Sequence, residues 1–135
     1  MTAAGWALQK AIFAALSADS GVRALIGDPP RLYDMAPARP VFPHVVFSDA
    51  RETKIPGADG LIEHDIRLGV HSRYEGRREA ADIIAAILSV IDGAPLTLAG
   101  FALISLGARF SDIFHRQDAD AYQGVIRLRA VTEKA

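Results

Sequence analysis

The sequence predicts an α+β fold, a mostly antiparallel sheet packed on one face by an N-terminal helix and a long central helix. Three observations carry this. Two stretches place apolar side chains at helical spacing, two others alternate apolar and polar residues, and the order of elements lacks the regular strand–helix repeat of a parallel sheet. A length of 135 residues with no second composition regime and no internal repeat implies one domain spanning 1–135.

Residues 3–18 put Ala4, Leu8, Ile12, Ala15 and Leu16 on one side of a helix, with Gln9 and Lys10 on another. Lys10 interrupts this apolar start and no basic stretch precedes it, so it reads as a helix rather than a signal peptide, which implies a cytosolic start. Asp19 or Ser20 caps a short helical turn through Val22, Leu25 and Ile26, and Gly27 ends it. The Asp28-Pro29-Pro30 run stops the helical part, because proline supplies no N–H and restricts the residue before it.

Residues 31–34 form a short strand, and Pro37, Pro40 and Pro43 make the next segment a surface crossing. A strand over 44–48 emerges from it, and residues 51–60, with Pro56, Gly57 and Gly60, read as a long exposed loop. From 61 to 73, Ile62, His64, Ile66, Leu68 and Val70 face one way and Glu63, Asp65, Arg67, Gly69 and His71 the other. The main helix covers 75–92 through Ala80, Ile83, Ile84, Ile87, Leu88 and Ile91, and Gly93 ends it. Strands over 96–98 and 101–114 flank Gly100, a turn spans 118–121, and a last alternating strand covers 122–132.

Composition narrows the function. The charge is −1, from 15 Lys+Arg against 16 Asp+Glu, which argues against holding nucleic acid by bulk positive charge. No cysteine is present, which removes disulfides, thiolate metal sites and Cys nucleophiles. No apolar run reaches the roughly 20 residues of a membrane span. Among 24 alanines and few aromatics, arginines outnumber lysines 12 to 3, a bias that suits paired contacts across interfaces or follows from a genome rich in G and C.

No motif carries catalysis. His44, His64, His71 and His115 lack metal-binding spacing, and His64 and His71 point to opposite faces of one strand. His64 reads as a hydrogen-bonded or partly buried residue and His71 as solvent-exposed or interfacial. Glu63, Asp65 and Arg67 form a polar row that Arg127 and Arg129 of the last strand would pair with if the strands are neighbours. Phosphate loops and the nucleophile elbow are absent, so no catalytic, metal or cofactor-binding residue is assigned.

Arginines supply the remaining candidates. Arg73, Arg77 and Arg78 cluster at the start of the main helix, where an acidic partner is favoured unless Glu75 and Glu79 neutralise them. Arg51 and Lys54, with an exposed Ile55, make a second basic site in the long loop.

Four pieces of the chain, in order, carry a family resemblance. They are Leu8-Gln9-Lys10-Ala11-Ile12 running to Leu25-Ile26-Gly27, the entry Pro40-Val41-Phe42-Pro43-His44-Val45-Val46-Phe47, the strand from His64 to Arg73 leading into Gly76-Arg77-Arg78-Glu79-Ala80, and the closing Tyr122–Ala130 strand. Over nearly its full length the sequence resembles the tail terminator (tail completion) proteins of long-tailed phages and gene transfer agents. The resemblance implies a non-enzymatic subunit of a hexameric ring on the last ring of the tail tube. Its partners would be other copies of itself, the major tail tube protein and a head–tail connector or stopper protein. DNA would pass only transiently through the lumen, no membrane or cofactor would be involved, and assembly in the host cytoplasm would end in the particle's tail–neck junction.

On that reading Arg51, Lys54, Ile55, Arg73, Arg77 and Arg78 are candidate subunit or tube contacts. A head-to-tail ring needs two complementary patches, and Asp112, Asp118 and Asp120 are the candidate acidic mates. The alternatives are another tube or connector ring protein, or a small-molecule-binding α+β domain using the Glu63, Asp65 and Arg67 row.

Overall fold

The computed structural model describes residues 1–135. Its elements, in chain order, are α1 (Ala3–Ala18), α2 (Ser20–Ile26), β1 (Leu32–Tyr33), β2 (His44–Lys54), β3 (Leu61–Ser72), α3 (Arg78–Ile91), β4 (Phe101–Arg116) and β5 (Ala121–Lys134). The five strands make one sheet in the order β1-β2-β3-β5-β4, antiparallel except for the short β1·β2 pairing. This is the expected α+β class, with all three helices contributing to one apolar layer against one sheet face.

The apolar stripes explain the packing. Leu8, Ile12 and Leu16 of α1 and Ile83, Ile87 and Ile91 of α3 are buried against Leu68 and Val70 of β3 and Ile126 and Leu128 of β5. Burying each such side chain contributes about 1.5–3 kcal/mol. Thr2 caps α1 by accepting a hydrogen bond from Gly5 N–H at 3.2 Å, and Asp19 caps α2 by accepting from Val22 N–H at 2.9 Å. The Glu52 carboxylate accepts from Thr2 N–H at 3.1 Å and ties the start of α1 to β2. Gly124 lets α3 approach β5, since a Cβ there would sit 3.0 Å from Ile84 Cδ1.

Several boundaries differ from the sequence reading. β2 continues to Lys54, so only residues 55–60 form the connection to β3, and Arg51 and Lys54 are strand residues. The polar 51–54 segment forms a strand because β3 supplies a full ladder, Arg51 opposite Asp65 and Lys54 opposite Ile62. The main helix begins at Arg78 rather than Glu75, because Gly76 has φ 104°, outside helical space. Residues 96–98 form no strand; only Leu98 bridges to Phe101. Gln9 is buried and donates to Asp34 at 2.7 Å, whereas Lys10 is exposed as expected.

Candidate functional site

The ladder registers give the sheet two ends and an uncovered face. At one end lie the 55–60 connection and Lys54, at the level of Thr132 and Leu103. At the other end His44, Ser72, Tyr122 and His115 come together. The first basic candidate, Arg51, Lys54 and Ile55, belongs to the first end; Arg51 and Lys54 are exposed, whereas Ile55 is half-buried and not free to project as expected.

Arg73 and Arg77 sit at the second end. The Arg73 guanidinium lies 4.3 Å from the Phe42 ring centre and that of Arg77 lies 5.6 Å from Tyr122. Arg78 reaches Asp82 at 3.9 Å, an exposed contact worth little. Glu75 and Glu79 do not neutralise these arginines: Glu79 accepts instead from Ser72 Oγ at 2.8 Å, joining the end of β3 to α3.

Of the proposed acidic mates, Asp118 and Asp120 lie at this same end. Asp118 pairs with its own Arg116 at 3.0 Å, which holds its carboxyl below the usual carboxylate range, and Asp120 lies 3.5 Å from His115. Asp120 and Arg73 line one cleft of about 280 Å³. Asp112 stands apart, exposed on β4 opposite Val125 on the uncovered face.

That face carries the polar row. Arg127 donates to Asp65 from Nε at 2.9 Å and also from Nη2, and Arg129 donates to Glu63 at 2.8 Å. Both pairs are diagonal, because Arg129 is directly opposite Asp65 and Arg127 opposite Arg67. The hydrogen bonds from Arg127 hold the Asp65 carboxyl below its ordinary range, the reverse of what a general acid needs. A depression of about 280 Å³ lined by Asp49, Arg51, Asp65, Arg67 and Arg127 opens beside the pairs.

His64, expected to be hydrogen-bonded or partly buried, is 1% exposed and shares a 2.8 Å hydrogen bond with Thr132. His71, expected to be solvent-exposed or interfacial, is half-buried and stacks on His44. No group of three His, Asp or Glu side chains is placed to hold a metal ion, and no helix is long and apolar enough to cross a membrane.

An apolar groove of about 440 Å³, not among the candidates above, lies between α1 and the sheet, bordered by Trp6, Phe13 and Phe47. Its signal was a second stripe, Trp6 and Phe13 seven apart, on the side of α1 away from Leu8 and Ile12.

The candidate surface thus consists of an uncovered polar sheet face, basic side chains at both sheet ends and carboxylates ion-paired to arginine. The family model for the tail completion protein gp17 matches residues 10–133, and the chain belongs to that family. It is a structural protein of the tail of a phage or phage-like particle. Among solved structures it is similar to a chain in the virion of a native gene transfer agent particle, with 26% identity, a TM-score of 0.88, and coverage of 98% of this chain and 99% of the other. No curated protein matches the sequence.

Proposed function

We propose that this chain forms a ring, six copies as expected, at the head-proximal end of the tail tube. There it stops tube polymerisation and offers the surface on which the head–tail connector or stopper is joined. The observation that carries this reading is likeness over the whole chain: a tail completion family match over 10–133 and a shared fold with a gene transfer agent virion chain over 98% of its length. A non-enzymatic role is consistent with the acid–base row, where Glu63 and Asp65 are both committed to arginines.

The subunit's two basic sites then have separate tasks. Arg51, Lys54 and Ile55, near one sheet end, and Arg73, Arg77 and Arg78, at the other, are contacts to a neighbouring subunit or to the tube, with Asp112, Asp118 and Asp120 as acidic mates. Near-neutral charge suits a lumen through which DNA passes without being held, since each neutralised phosphate would strengthen retention. Assembly takes place in the host cytoplasm and ends at the tail–neck junction of the particle.

Negative-stain microscopy of particles from a strain lacking this chain tests the role. Overlong or unjoined tails are expected; absent tails would assign it to the tube instead, and normal particles would overturn the proposal.

A further inference from the structure

Two strand edges of the sheet are open, on opposite flanks of the subunit. β2 carries β1 only at Val45 and Val46, so its edge over residues 49–54 faces no strand. β4 borders the other flank. Part of that edge is covered: Gly93 N–H donates to Leu106 O at 2.9 Å, and Asp92 Oδ1 accepts from Ala108 N–H at 3.0 Å. Residues 109–116 have no such cover, contain no proline, and expose Phe110 at 46%. An uncovered edge of this kind is a template for pairing with another chain.

From these edges we infer that residues 109–116 of β4 in one copy add, antiparallel, to residues 49–54 of β2 in the next, so that the copies share one continuous sheet around the ring. This rests on the ring reading above. The partner is a second copy of this chain, and three features support it.

The first is strand sense. β4 runs opposite to β2, because each of the three intervening ladders is antiparallel. Rotation about an axis along the strands preserves sense, so β4 of one copy meets β2 of the next antiparallel.

The second is stagger. Read straight across the sheet, Asp49 is level with Phe110, through Arg67 and Arg127. Strands in a closed sheet tilt by about 35–45°. Four strand spacings of about 4.8 Å then displace the facing edges by roughly 13–19 Å, or about four to six residues. If the β3–α3–β4 crossover has the right hand that such crossovers nearly always have, and the ring carries its helices on the outside, the displacement moves the β2 edge away from the covered Leu106–Ala108 stretch and onto 109–116.

The third is charge. A stagger of about four residues sets Arg51 opposite Asp112. Both side chains project from the uncovered face, as their partners Asp65 and Val125 do, and neither has an ion partner in its own chain.

The natural absence of cysteine makes the test direct. Thr53→Cys and Phe110→Cys, both at exposed positions, are made as separate full-length chains, mixed, and treated with a short bismaleimide. The mixture is expected to cross-link between the two chains while neither links to itself, and a chain carrying both should give a ladder up to the ring number. Reversing Arg51→Asp or Asp112→Arg alone should lower the cross-linked yield at least tenfold, and the double reversal should restore it.

Phe110→Cys linking to itself would indicate β4 against β4 and overturn the seam. A particle of ring mass with no β2–β4 link would overturn the seam and leave the ring standing. A chain that stays monomeric in solution and is absent from tail ends would remove the ring and the seam together.

Discussion

His44 and His71 face each other across β2 and β3, with ring centres 4.8 Å apart and planes 13° from parallel. Burial lowers the pKa of both; the nearby Arg31 charge adds to this at His44, as do His44 and Arg116 at His71. Burial lowers that of His64 as well, against an opposing pull from Glu52. All three are therefore neutral in the fold at a pH where the unfolded chain already takes up protons.

Stability should decline as pH falls below about 6.5, where the unfolded histidines protonate, and level off once pH passes the lower folded values. Above that window these groups add no pH dependence. Urea unfolding between pH 8 and pH 5 measures it. Replacing both His44 and His71 with Phe should flatten the decline to the share of His64; an unchanged slope would show that the stack is not its source.

The buried His64–Thr132 hydrogen bond joins β3 to β5. Thr132→Val keeps the shape but leaves the imidazole unpaired in the core, at a cost of about 1–3 kcal/mol. Adding His64→Leu should recover part of that loss, because no polar group is then stranded. Equilibrium unfolding of the two variants checks both steps, and equal stability of Thr132→Val and the native chain would mean the pair contributes nothing.

Arg51, Lys54 and Ile55 lie near the end of the sheet formed by the β2–β3 connection. Changing all three to alanine should leave the far-ultraviolet spectrum of the folded chain in place, with a stability loss within about 1–2 kcal/mol traceable to half-buried Ile55. Tail completion should fall in particles made with this variant. Tails of normal length and joining would remove these residues from the contact surface.

The regular parts of the fold were legible where one face alone is buried. β3 alternates without interruption from Ile62 to Val70, and α3 repeats isoleucines at three and four, so periodicity located both. The ion pairs of Arg127 and Arg129 also followed from alternation once β5 lay beside β3. Residues 51–54 were misread because an edge strand with exposed polar side chains has no apolar period to show. β4 hides its pattern in two bulges, at Leu103/Ser105 and Ala108/Phe110, each of which shifts the alternation by one. Asp120 could not be placed beside Arg73 from spacing, since a hairpin turn and an α3 crossover separate them in sequence.

Particle reconstruction by cryo-electron microscopy, with this chain located in the density, tests the ring itself. A single ring of this chain is expected on the head-proximal end of the tail tube, between the last tube ring and the connector. Density for the chain repeated along the tube, or none at that junction, would contradict it.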